Sequence, residues 1–346
     1  MRHDGQPDRL SGVIMSLIVV RTNLGARAVP MTVSVPSGSN TIDTSDTDKR
    51  SHDIQQQIER RNKYKDKLKD IRKKFWNDAG ILLADGRNDL PDTIYHYTSI
   101  RSAREILQSN SIWATDMFCL NDASEAKYGY GLLESFVAND MAENMKKFMD
   151  GLPQRLDQSF GHAFVSCFCR KGNLLSQWRN YGQGVAIGFD VKGLNTEFGN
   201  LSNVVYGPKN QNKLIVLAIE SLFEHYDASD DEFGLACQDE LVFLLSFLLP
   251  RLKHPDFLQE DEWRIIFRKY FNHNLLDDPC VLFRESSTML IPYLSLKPKS
   301  KKLPITDIKI GPSMHSNGLI RTFKILLQTN GYDPDMVSWS QTPARL

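Results

Sequence analysis

Hydrophobic and polar positions fall into three textures along the chain. Residues 1 to about 50 show no sustained period and end in the polar run from Ser37 to Asp46. Such a run cannot bury enough apolar surface to offset its ordering entropy, which predicts a disordered tail over 1–50. From Ser51 the pattern changes: Ile54, Ile58, Tyr64, Leu68, Ile71 and Phe75 recur at mostly three- and four-residue steps. This spacing predicts one amphipathic helix that ends between Asn77 and Gly80, followed by a linker to residue 90. Beyond Pro91, short alternating runs mix with helical ones. Strands are expected at 93–98, 111–115, 163–169, 184–190, 203–206, 263–268, 288–296 and 307–310. Helices are expected at 100–108 with Ser99 as N-cap, and at 124–149, 213–225, 236–249 and 318–329, the last closed by Asn330 and Gly331. Strands without regular strand–helix alternation point to an α+β domain over 91–346 rather than a doubly wound sheet.

Composition narrows the function classes. With 41% hydrophobic and 24% charged residues, the chain can bury a full core. Its 42 basic and 42 acidic residues cancel, so any lean toward nucleic acid or anionic lipid must be local. The local candidate is the helix at 54–76, whose polar face carries Arg60, Arg61, Lys63, Lys65, Lys67, Lys69, Arg72, Lys73 and Lys74. That face suits a phosphate-bearing acceptor, or is simply a solvated surface above an apolar stripe. Five scattered cysteines argue for a reducing cytoplasm over a disulfide framework. The apolar stretch Val13–Val20 imitates a signal peptide, but Asp4, Asp8 and Arg21 argue against secretion. The longest apolar run, Leu241–Leu249, is about half of the ~20 residues a bilayer span needs, so no membrane partner is expected.

Several familiar motifs fail. The glycines of Gly182, Gly184 and Gly188 lead into a predicted strand where a dinucleotide fingerprint needs a helix N-terminus. Cys167 and Cys169 with His162 lack a second pair at ligand spacing, and both cysteines occupy one strand face; no metal is expected.

Four separated elements carry more information together than singly. They are Tyr95-His96-Tyr97-Thr98-Ser99 with Ile112-Trp113-Ala114; Asn121-Asp122 with Glu125; Phe164 to Phe168 followed by Trp178-Arg179-Asn180-Tyr181-Gly182 and Gly184 to Asp190; and Glu260 to Arg264 with Ile308 to Met314. Their order resembles domain-of-unknown-function family 2971 over roughly Asp92 to the C-terminus. The leading His-x-Thr strand and the late Glu-x-Glu are in turn similar to the ADP-ribosyltransferase superfamily. That resemblance implies a split, twisted, mainly antiparallel sheet flanked by helices, with NAD held in its cleft. It implies His96 as the first-strand residue, Ser166 or Tyr181 in the middle position, and Glu262 as the late catalytic carboxylate.

The residues suit that chemistry. Cleaving nicotinamide from ribose develops positive charge on the sugar, which a fixed carboxylate stabilises; Glu262 takes this role. If Glu260 shares the strand, it faces the same way and serves as general base toward an acceptor. His96 would bond a ribose hydroxyl, Tyr97, Trp178 or Tyr181 would stack on a ring, and Arg264 or Arg179 would pair with the pyrophosphate. Structural alternatives stand beside each role: His96 as a satisfied strand-end histidine, Glu262 and Arg264 as an exposed ion pair, Asn121-Asp122 as a turn or cap, and Trp178 with Tyr181 as core.

The leading expectation is thus an NAD-dependent ADP-ribosyltransferase-like toxin or anti-phage effector that modifies a nucleic acid or protein. An NAD glycohydrolase is a close variant. From another class comes a catalytically silent module that binds a nucleotide or phage component. A nuclease gathering Mg²⁺ on Asp122, Glu125, Glu260 and Glu262 is disfavoured by their chain spacing and by the aromatic residues around them.

Overall fold

The computed structural model describes residues 55–86, 89–120, 123–137, 142–153, 155–156, 163–181, 184–199, 201–226, 231–268, 281–286, 289–312 and 316–342. The tail expected over 1–50 lies outside them, as do Asn121, Asp122 and His162.

The basic amphipathic stretch is helical over residues 55–63, turns at Tyr64, and resumes as α1 (Lys65–Ala84), several residues beyond the expected end. Leu68, Ile71, Phe75, Ala79 and Leu83 supply its buried stripe. That stripe packs with α7 (Pro208–Phe223) and α8 (Asp231–Leu248) in one core. Asp85, left-handed at φ 49°, closes α1, and its carboxylate accepts from the backbone N–H groups of Tyr206 and Gly207. The helix expected at 124–149 is two, α3 (Ala123–Val137) and α4 (Glu143–Met149). By length and composition Glu232–Arg251 would qualify as a bilayer span, contrary to the sequence estimate, but 83% of that window is buried inside the protein.

The remaining elements build a mostly antiparallel sheet. They are β1 (Thr93–Thr98), α2 (Ile100–Ser109), β2 (Ile112–Asp116), β3 (Ala163–Cys169), α5 (Leu175–Tyr181), β4 (Val185–Asp190), α6 (Val191–Phe198), β5 (Leu201–Asn203), β6 (Glu262–Arg268), β7 (Val281–Glu285), β8 (Leu290–Leu296), β9 (Ile305–Ile310), α9 (Ser316–Thr329) and β10 (Val337–Trp339). Helix α6 and strands β7 and β10 were not anticipated. Ser99 does cap α2, accepting from Ser102 N–H. The sheet runs β10-β9-β4-β1-β3-β2-β8-β7, with β6 and β5 branching from β3; among the described strands, β10 and β9 alone pair in parallel.

The branch has a simple cause. A strand has two hydrogen-bonding edges, and β6 occupies one edge of β3 along all seven residues. β1 and β2 must therefore share the other. β1 meets it only at Cys169, opposite Tyr95, and β2 only at Val165 and Phe164, opposite Thr115 and Asp116. Between these contacts the sheet forks.

Pleating separates two faces. One carries Ile94, Ile187, Phe168, Ile265 and Ile308 and is covered by α2, α6 and α9. The other carries Tyr97, Cys169 and Ala186 against Trp178 of α5, and Ala163 against the α1–α7–α8 core.

Candidate functional site

Glu262 opens β6 directly across from Cys169, and Arg264 lies across from Cys167. Both side chains are buried, so the expected exposed ion pair is instead an interior one. Arg264 donates from Nε to Glu262 Oε1 at 2.7 Å and from Nη2 to Oε2 at 3.0 Å, while its Nη1 donates to Pro250 O at 2.7 Å. Lys253 Nζ, also buried, reaches Glu262 Oε2 at 2.8 Å and Glu260 Oε2 at 2.6 Å. The Glu262 backbone N–H donates to Tyr206 Oη. Burial alone would push the Glu262 carboxyl up, but the charges and hydrogen bonds of Arg264 and Lys253 outweigh it and hold the pKa at about 2. Both carboxylate oxygens are thus engaged by cations of the same chain.

Glu260 does not share the strand. It ends the 3-10 turn Pro255–Glu260, and Asp261, left-handed at φ 43°, separates it from β6. The two carboxylates meet at Lys253, not along a common strand face. Two cations and two carboxylates therefore make a locally balanced cluster, with the Cys169 thiol beside it raised well above its usual range by burial and by Glu262.

His96 stands elsewhere. Tyr95 and Cys169 are paired and share a face, so His96, the next residue, belongs to the face opposite Cys169 and Glu262. Its ring lies 5.8 Å from that of Phe168. At the fork, His96 Nδ1 is 2.9 Å from Cys167 O; a carbonyl only accepts, so Nδ1 carries the proton and donates. Burial first, then the charge of Arg284, lowers the His96 pKa, and the Cys167 bond only partly offsets this. The imidazole is therefore held neutral with Nε2 as an acceptor. Ser166, on the same face as Phe168, is buried and spends its hydroxyl on Trp113 O at 2.7 Å.

The predicted ring-stackers are core. Trp178 is fully buried on α5 and packs edge-on against Tyr97 at 4.9 Å. Tyr97 Oη donates to Lys171 O and accepts from Leu174 N–H, fixing the turn between β3 and α5. That turn is tight: a Cβ on Gly172 would come within 2.6 Å of the Tyr95 ring. The side chains of Glu125 and Tyr181 lie outside the described residues. His96, Ser166 and Glu262, expected in one cleft, do not converge, and Arg264 has no free edge for a pyrophosphate.

The stretch from Gln177 to Ile265 contains this buried cluster whole. It matches the family model described as "Protein of unknown function (DUF2971)", over residues 177–265. That segment belongs to DUF2971. No significant match is found among curated proteins or solved structures. The DUF2971 segment holds Trp178, Tyr206, Lys253, Glu260, Glu262 and Arg264, while His96, Ser166 and the fork's other edge lie outside it.

The basic helix is also largely internal in its commitments. Arg60 pairs with Asp239, and Arg61 and Arg72 both pair with Glu240; these two acids of α8 are buried. Lys63 pairs with Glu232 and Lys67 lies over the Phe233 ring. The patch read as a phosphate surface thus spends three arginines on docking to α8, leaving exposed Lys65, Lys69 and Lys73. Sequence reasoning missed Arg284 and Tyr293, because β7 carried no recognisable pattern and Tyr293 read as an ordinary strand residue; Trp113 was noted only as part of a motif.

Proposed function

We propose that this chain is a nucleotide-binding module on a forked sheet of ADP-ribosyltransferase type, and that it does not run ADP-ribosyl transfer through Glu262. The observation that carries the reading is the commitment of Glu262. A catalytic carboxylate must be presented to the ribose as charge develops there. Here both oxygens are engaged by Arg264 and Lys253, on the face away from His96. Stripping these contacts to admit a substrate would take the carboxylate from buried Arg264 and leave Lys253 with Glu260, at several kcal/mol. The fork supports the nucleotide half of the reading. It holds a neutral His96 with Nε2 as an acceptor, and the neighbouring strands β2 and β8 carry the half-buried Trp113–Tyr293 pair on the other face. Five cysteines scattered along the chain support an intracellular setting.

The test pairs calorimetric titration of the purified chain with NAD⁺ and ADP-ribose against a nicotinamide-release assay. Saturable binding without nicotinamide release above the buffer blank is expected. Release that disappears in a folded Glu262→Gln variant would restore the transferase, and the absence of saturable binding would remove the nucleotide.

A further inference from the structure

On the sheet face opposite Ala114, Phe164 and Leu294, strands β2, β8 and β7 carry side chains that neither the Glu262 cluster nor the helix-packed cores absorb. Thr115 stands directly across from Tyr293, and Trp113 across from Ser295, so alternation puts these four on one face. The Trp113 and Tyr293 rings are 4.8 Å apart, inclined by 41°, and both residues are only half-buried. In β7, Leu282 pairs with Tyr293 and Arg284 with Ile291, which places Arg284 on the same face one step along. Arg284 reaches across β8, and its Nη2 donates to Thr115 Oγ1 at 3.4 Å.

Arg284 Nε is buried without a hydrogen-bond partner. Among the described residues no carboxylate lies within ion-pair distance of it, whereas Arg60, Arg61, Arg72 and Arg264 each hold one. A buried guanidinium nitrogen left with no acceptor costs free energy that an anion with two oxygens would recover, because Arg offers parallel donors matched to phosphate. Beside it, two half-exposed rings present apolar area to a planar partner, and base–aromatic stacking tolerates many bases.

We propose that Arg284, Thr115, Trp113 and Tyr293 form a nucleotide site on this face, with Arg284 and the Thr115 hydroxyl on a phosphate and the Trp113–Tyr293 pair against the base. The assignment rests on the nucleotide-binding reading and gives that reading a location. It also divides the ligand: the anion end belongs to β7 and the ring end to β2 and β8.

Titration calorimetry with ADP-ribose and with inorganic pyrophosphate tests it, on the full chain and on variants whose melting temperatures are checked in parallel. Arg284→Gln should weaken ADP-ribose binding on the order of ten- to a hundredfold, the scale of a lost charge-assisted contact. Arg284→Lys keeps the charge but not the planar fork and should fall between the two; it also serves if the Gln variant folds poorly. Trp113→Leu should weaken ADP-ribose several-fold while leaving pyrophosphate unchanged. If the wild-type chain binds ADP-ribose and Arg284→Gln and Arg284→Lys bind it equally well, this location is wrong and the nucleotide-binding reading survives. If the wild-type chain binds neither probe, both fall.

Discussion

Glu262→Gln is the perturbation that most directly separates a structural carboxylate from a catalytic one. Glutamine matches the size of glutamate but removes the charge and one acceptor oxygen. Three donors now converge on the carboxylate: Arg264 Nε at 2.7 Å, Arg264 Nη2 at 3.0 Å and Lys253 Nζ at 2.8 Å. One amide oxygen cannot serve all three, and the amide NH₂ would point donors at cations. Glu260 would remain on Lys253, while the two-point contact of Arg264 with a carboxylate would be lost. Removing one partner of a buried ion pair costs about 3–5 kcal/mol, against ~1 kcal/mol or less for an exposed pair. Urea denaturation at neutral pH should therefore show a midpoint drop worth about 3–5 kcal/mol with an unchanged m-value. The pH profile adds a second check. Because the folded Glu262 pKa is about 2 against an ordinary 4.5, the stability it supplies is present above pH 4.5 and lost as pH falls toward 2. The gap between wild type and variant should narrow across that window. A neutral-pH difference below ~1 kcal/mol would refute the argument, since the cluster would then behave like a surface pair.

Two further outcomes follow from other buried acids. Glu240→Gln removes the common partner of Arg61 and Arg72, and should cost roughly 1–3 kcal/mol, since both arginines can regain water; faster tryptic cleavage within residues 55–84 would report the loosened helix, and unchanged cleavage would count against the docking role. Burial raises the Asp116 carboxyl to about 6, despite bonds from the Phe118 and Cys119 N–H groups, so the wild-type fold loses stability as pH rises from 3.8 to 6. Asp116→Asn keeps an acceptor for Phe118 N–H and should be more stable than wild type at pH 7, by on the order of 2 kcal/mol, with no advantage at pH 3.5; equal unfolding midpoints at both pH values would contradict it.

Periodicity alone located most elements, because a helix or strand that buries one face must repeat its apolar residues at 3.6 or 2. Leu68, Ile71 and Phe75 announced α1, and Phe164 to Cys169 announced β3, each from local spacing that the fold then kept. The Asn330–Gly331 stop was also legible, and Gly331 has φ 74°. Strand β7 was not, since its burial does not alternate cleanly and two of its apolar residues, Leu282 and Phe283, are exposed. The candidate site was a harder problem. Which face a residue occupies depends on register, and register is set by partners far away in the chain. Tyr95 opposite Cys169, and Cys169 opposite Glu262, decide that His96 and Glu262 are on different faces. No spacing within either strand contains that information. Charge partnership is equally non-local: Glu262 reads as a reactive carboxylate until Lys253 and Arg264 close on it. The sequence determined which groups carry charge and which segments could pair; the tertiary structure decided which charges were already spent, because desolvation and Coulomb energy depend on distances that only the folded chain brings about.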